Sequence, residues 1–149
     1  MLPTRRTILG AFAWLGASST RVAAAEGPRV ALRLLATSDL HVALRDWDYY
    51  RAKEDPTMGV SRVASLIRAA RREIPNTLLF DNGDLLQGNP LGDFLARPGG
   101  LAEGAIHPVY RVMNALGYDA ATVGNHEFNF GLDFLERALK GSAFPQVSA

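Results

Sequence analysis

No cysteine occurs in this chain of 149 residues. Disulfides and thiolate metal sites are therefore excluded. Histidine is scarce: only His41, His107 and His126 are present, so imidazole chemistry is confined to those positions. No charge of one sign dominates, since 16 basic and 15 acidic residues leave a formal net charge of +1. No strong field points to nucleic acid or an anionic membrane. Long apolar runs are missing too. The stretch from Ile8 to Ala17 is too short to anchor a chain stably in a bilayer. Internal repeats and low-complexity segments are absent. What remains is ordinary: 48% hydrophobic and 21% charged residues argue against disorder, and the length suits one domain.

The amino terminus reads as a leader, not as fold. Basic Arg5-Arg6 precede the apolar run, and Ala23-Ala24-Ala25 give a small-residue end, which marks residues 1–25 as a signal peptide. Paired arginines directly before the run predict the twin-arginine route. Arg21 near the cleavage region fits that route, because such a charge hinders the general secretory pathway. The expected location is the periplasm, with transient contact to the twin-arginine export machinery and no stable membrane anchor. Without residues 1–25 the chain has 13 basic and 15 acidic residues, net −2.

Beyond the leader, residues 26–149 alternate strand and helix. Residues 30–36 (VALRLLA) predict a buried strand, and 42–58 a loop carrying Trp47, Tyr49 and Tyr50. Val60, Val63, Ile67, Ala70 and Ile74 recur at helical spacing from Gly59 to Ile74. Arg62, Arg68, Arg71 and Arg72 lie mostly off that stripe and read as a solvated face. Residues 77–80 (TLLF) predict a second strand, followed by an irregular glycine-rich region to about Ile106. Pro108 suits a helix start, His107 before it reads as structural, and Gly117 ends the helix. A third strand over 119–123, a helix over 132–140 and the start of a fourth strand over 144–148 complete the order. This is an α/β pattern with largely parallel strands. No helix follows the fourth strand, so the chain reads as the truncated front part of a longer protein.

Each of the three complete strands ends in polar side chains. Asp39 and His41 follow the first, Asp84 the second, Asn125 and His126 the third. Parallel strands put these ends on one edge, where α/β folds bind their ligands. Two carboxylates, two imidazoles and an amide suit Mn²⁺, Fe, Zn²⁺ or Co²⁺. Asp84, arriving between the others, is placed to bridge two ions, and paired ions activate water for displacement at phosphorus. Asp-x-His, Gly-Asp, Asn125 or His126 alone would read as a turn, a cap or a structural residue; their order at successive strand ends is the signal.

Asp39-Leu40-His41, Gly83-Asp84-Leu85-Leu86-Gln87-Gly88 and Gly124-Asn125-His126-Glu127 resemble the first three blocks of the calcineurin-like metallophosphoesterases, and within them the exported 5′-nucleotidase group. The resemblance covers nearly all of residues 30–149. The stretches LLFDNGDLLQGNPLGD and FPQVSA are similar to the branch that acts on 2′,3′-cyclic nucleotides and 3′-nucleotides; the alternative branch hydrolyses 5′-nucleotides or nucleotide sugars. The resemblance implies the front part of a β-sandwich with flanking helices and a cofactor of two divalent metal ions. It implies Asp39 and His41 as ligands of one metal, Asp84 as the bridge, Asn125 on the second metal and the phosphate, and His126 as the catalytic histidine. Glu127 is expected to be structural. The family usually has an aspartate at the position of Asn129, pairing with that histidine; asparagine there favours the cyclic phosphodiesterase, or else simply caps the next helix. The family's further histidines and nucleoside-holding domain have no counterpart in these residues. The expectation is a phosphoesterase fragment with negligible activity alone, against the alternatives of a non-catalytic remnant or a module that merely holds phosphate or metal.

Overall fold

The computed structural model describes residues 27–148; the expected leader lies outside them. Four strands, β1 (Arg33–Thr37), β4 (Thr77–Asp81), β5 (Ala120–Thr122) and β6 (Gln146–Val147), form one parallel sheet in the order β1-β4-β5-β6. Strand order follows chain order. Crossovers between parallel strands are right-handed, so successive connections place their helices on the same face. Helices α1 (Val60–Glu73), α3 (Pro108–Leu116) and α4 (Leu132–Leu139) pack there with Leu79 and Ala121 in a core that includes Val60, Ile67, Met113, Phe134 and Leu135. The opposite face is bare: Leu34 and its ladder partner Leu78 are 64% and 36% exposed. The described residues thus build one sheet of the expected sandwich, covered on one side.

The first strand begins later than its apolar run. Arg33 is the first residue to find a ladder partner, Thr77, and its N–H bonds to Asn76 O at 2.9 Å. Val30 and Leu32 therefore lie outside the sheet. The predicted helix at 59–74 is α1, with Gly59 as its N-cap. Ala64 joins Val60 and Ile67 as its buried stripe. Arg71 departs from the solvated face: its guanidinium donates to Leu116 O and to Gly117 O, the latter at 2.7 Å, satisfying carbonyls at the end of α3 that have no helical partner.

Two regions read as irregular contain structure. Within 42–58, β2 (Trp47–Asp48) and β3 (Lys53–Glu54) form an antiparallel hairpin. Within the glycine-rich region, α2 (Pro90–Ala96) starts at Asn89, whose Oδ1 accepts from Leu91 N at 2.9 Å. Asparagine followed by proline is a helix start, obscured in the sequence by the glycines around it. Among the described residues no helix is long and apolar enough to cross a membrane.

His107 is structural, as expected. Fully buried, it caps α3, its Nδ1 accepting from Val109 N at 3.3 Å. Its ring meets Tyr110 and Phe134 edge-on. Burial pushes its pKa down from 6.5 to about 4. The unfolded chain therefore binds this proton more readily than the folded one, and the stability it contributes is present above pH 6.5 and lost as pH falls towards 4. The loss is of order 3 kcal/mol. His107→Asn keeps a capping side chain but cannot titrate. We expect the wild-type advantage in urea midpoint over this variant to shrink between pH 7 and pH 4.5. Equal acid sensitivity in the two proteins would rule this out.

Candidate active site

The loops leaving β1 and β4 continue to run side by side after the strands end. Asp39 N bonds to Gly83 O at 3.0 Å, His41 N to Asp84 O at 3.0 Å and Val42 N to Leu85 O at 2.9 Å. This pairing forces unusual backbones. Asp39, His41, Val42 and Asp84 all have left-handed φ, between 45° and 61°. Such conformations cost roughly 1–3 kcal/mol each and persist only where the surroundings impose them. Buried Val42 is the most telling, because a β-branched residue resists this region most.

The loop after β5 closes against the loop after β4. A Cβ on Gly83 would fall 2.3 Å from Gly124 N, and one on Gly124 would fall 2.3 Å from Asp84 Oδ1. Only two glycines let these backbones touch. Asn125–Phe128 then forms a 3₁₀ turn. Asp84 Oδ1 accepts from His126 N at 2.9 Å, so the carboxylate is fixed with its other oxygen uncommitted to that bond.

Glu127 is the residue whose role the sequence showed least. It is 0% exposed, yet its carboxylate accepts four main-chain N–H groups. Oε2 takes Asp84 N at 2.8 Å and Gly124 N at 2.5 Å; Oε1 takes Leu85 N at 2.5 Å and Leu86 N at 3.1 Å. It staples the third block to the second.

Asp39 and His41 form a pair. His41 Nε2 lies 3.8 Å from Asp39 Oδ1, too far for a hydrogen bond. Two donors sharing one ion at bonds near 2.0–2.1 Å lie at most about 4.2 Å apart, so the separation fits a common metal. His41 Nδ1 lies 2.6 Å from Gln87 O, which turns Nε2 towards Asp39 in the manner of a metal-binding histidine. The His126 ring stands edge-on to His41, centroids 5.2 Å apart. Its Nδ1 is 2.7 Å from Gln87 Oε1 and 2.9 Å from Asn129 Nδ2. Asn125 is exposed and opens the 3₁₀ turn immediately before His126.

Asp39, His41, Asp84, Asn125 and His126 thus all lie at the carboxyl edge of adjacent parallel strands. Among the described residues no three His, Asp or Glu side chains stand close enough to hold one ion. The Asp84 side chain is tied to His126 N, while its main-chain carbonyl accepts from His41 N. Asp81, at the end of β4, is 2% exposed. Burial pushes its pKa up to about 6 despite hydrogen bonds from Thr37 and Gly83 N, with Glu127 and Asp39 adding repulsion. The aromatic hairpin flanks the edge: Trp47, Tyr49 and Tyr50 line a cleft with Asp39, His41 and Asn89.

Parallel strands ending in these blocks define a metallophosphoesterase fold, and residues 32–147 match the family model of the calcineurin-like phosphoesterases; the chain belongs to that family. Members of the family use divalent metal ions. The chain is 52% identical over 125 residues to a 2′,3′-cyclic-nucleotide 2′-phosphodiesterase/3′-nucleotidase of Yersinia enterocolitica, covering 84% of this chain and 19% of that protein. It is 37% identical over 128 residues to human 5′-nucleotidase, covering 79% of this chain and 20% of that one. Among solved structures, the calcineurin-like phosphoesterase YfkN of Bacillus subtilis superposes with a TM-score of 0.75 at 50% identity, over 80% of this chain and 37% of that one. The chain therefore spans about a fifth of the length of these curated relatives.

Glu127→Gln provides the test of the staple. An amide would turn an NH₂ towards main-chain N–H groups and leave buried donors without an acceptor, at a cost of about 3 kcal/mol or more. The expected outcome is a lower urea midpoint, with faster amide exchange at Leu85 and Gly124. A loss below about 1 kcal/mol, less than a single buried donor left unmet, would mean that Glu127 does not bear the edge.

Proposed function

We propose that this chain carries the first half of the metal centre of an exported phosphoesterase that opens 2′,3′-cyclic nucleotides. The observation that supports this most is the Asp39–His41 pair, separated by 3.8 Å and held in left-handed backbone beside Asp84 and His126. The branch assignment rests on similarity to the Yersinia protein, more than half identical over the matched residues, and on asparagine at position 129. In this reading Asp39 and His41 would hold one ion, Asn125 would help to hold a second, and Asp84 would serve both. Divalent ions there would neutralise charge on the phosphoryl oxygens and activate the attacking water; the oxygen and nitrogen donors suit Mn²⁺, Zn²⁺, Fe or Co²⁺.

His126 acts through Nε2, since Nδ1 is engaged. With protons on both ring nitrogens, as imidazolium, it would stabilise charge on the phosphoryl group and give its Nε2 proton to the departing 2′ oxygen, leaving a 3′-phosphate for a second hydrolysis. The four proposed ligands leave each ion short of the protein donors such sites carry. The chain alone is therefore expected to turn over far more slowly than a polypeptide that supplies further ligands. Export to the periplasm by the twin-arginine route belongs to the same proposal and rests on Arg5-Arg6 before the apolar run. Replacing both arginines with lysine should leave the protein in the cytoplasm on fractionation; undiminished export would remove that part.

The division of roles is testable in a polypeptide that completes the metal shells. His126→Ala should retain the metal content and lose turnover of 2′,3′-cyclic AMP by on the order of 10²–10⁴. Asp84→Ala should lose both metal and turnover. Equal metal loss in the two variants would refute the assignment, and a preference for 5′-AMP over the cyclic nucleotide would shift the substrate to that of the 5′-nucleotidase branch.

A further inference from the structure

Gln87 stands between the two histidines of the edge and touches both. Its main-chain carbonyl lies 2.6 Å from His41 Nδ1, and its side-chain Oε1 lies 2.7 Å from His126 Nδ1. A carbonyl oxygen offers only lone pairs. His41 Nδ1 must therefore carry the hydrogen, leaving Nε2 as the lone pair that faces Asp39. The same logic extends to His126 when Gln87 presents its oxygen. Asn129 Nδ2 reaches that same oxygen and also lies 2.9 Å from His126 Nδ1. One amide oxygen with two lone pairs accepts from both N–H groups. Asn129 Nδ2 can only donate, so its 2.9 Å contact with His126 Nδ1, taken as a hydrogen bond, calls for the opposite tautomer; the shorter 2.7 Å contact with Gln87 Oε1, an atom that can only accept, decides for Nδ1–H.

The bracket is built by the residues that follow. Gly88 has φ +129°, and a Cβ there would lie 2.7 Å from the His41 ring; glycine lets the Gln87 carbonyl come alongside the imidazole. The Asn89 side-chain amide donates to His41 O, while its Oδ1 caps α2. Gln87 is thus anchored at the start of a helix.

We infer that Gln87 is a positioning residue that sets the tautomer and orientation of both imidazoles, His41 through its main chain and His126 through its side chain. In this molecule a neutral amide orients the histidine that meets the substrate, and the same residue orients the histidine that meets the metal. The consequence for catalysis rests on the function proposed above; the hydrogen-bonding role does not.

The asymmetry between main chain and side chain gives the test. Long-range ¹H–¹⁵N spectra of the imidazole rings read the tautomer of each histidine in the full chain, without metal, at about pH 8.5, where an ordinary imidazole is neutral. His107 serves as an internal reference of the opposite kind, because its Nδ1 accepts from Val109 N and its proton must sit on Nε2. The expected wild-type result is Nδ1–H at His41 and His126. Gln87→Leu should abolish the Nδ1–H signature at His126 and leave His41 unchanged; Gln87→Glu, which restores an acceptor oxygen, should bring it back. If Gln87→Leu fails to fold, Gln87→Met gives the same reading. An Nε2–H tautomer at His126 in the wild type, or an Nδ1–H signature that survives loss of the amide, overturns the inference. In a polypeptide with complete metal shells, Gln87→Leu should lower kcat about 10–100-fold, the usual cost of losing an outer partner, with KM unchanged. Absence of turnover in the wild type would remove the proposed function and leave the tautomer result standing. Turnover with His126 indifferent to Gln87 would remove this inference alone.

Discussion

A buried carboxylate holds the site edge together. Glu127 gathers four main-chain N–H groups, three from the loop after β4 and one from the turn after β5. Neither loop has a repeating hydrogen-bond ladder of its own at this point. Without an acceptor those buried N–H groups would each carry a desolvation cost of about 1–3 kcal/mol. The carboxylate meets the need of all four, and its own charge is matched by four dipoles aimed at it. Asp84 gains its place from this arrangement, since the loop that carries it is pinned on both sides. His126 gains its place too, because its N–H is bonded to Asp84.

Strain is then distributed across the edge. The left-handed residues Asp39, His41 and Val42 lie in the loop after β1, and Asp84 in the loop after β4. The hydrogen bonds linking those loops tie each strained backbone to a partner that is itself fixed. The first loop depends on the second, and the second on Glu127. The sheet supplies the platform: with its helices on one face, it leaves the carboxyl ends of β1, β4 and β5 free to deliver polar side chains. An interaction one residue beyond the histidine motif thereby reaches the Asp39–His41 pair two strands away.

The sequence made the architecture legible wherever periodicity or punctuation was strong. α1 and α3 were found by their apolar stripes and by Gly59, Pro108 and Gly117; the strands by short apolar runs ending in polar clusters. The misses have physical reasons. Val30 and Leu32 look like strand, but strand residues need a ladder partner, and the chain opposite begins to pair only at Thr77. α2 is seven residues long with proline and glycine inside it, so no stripe could form. Arg71 looked solvated because its acceptors, Leu116 O and Gly117 O, are main-chain groups more than forty residues away. Gln87 and Glu127 were visible as letters in a motif but not as partners. Their roles depend on which backbone atoms arrive beside them, and that is a property of the fold.

The use of an amide beside His126 has a rationale in the charge already present. Asp39, Asp81, Asp84 and Glu127 crowd one edge, and burial, with smaller repulsion from Glu127 and Asp39, pushes the Asp81 pKa up to about 6. An aspartate at position 129 would add a further negative charge to this group, to be offset only by bound cations or by a charged imidazole. Asparagine with Gln87 orients the ring without that charge. The histidine is then met by neutral hydrogen-bonding groups, and no further negative charge is added to the edge. Orientation and charge are separated between two sets of residues: Gln87 and Asn129 contact the His126 ring, and the carboxylates carry the negative charge of the edge.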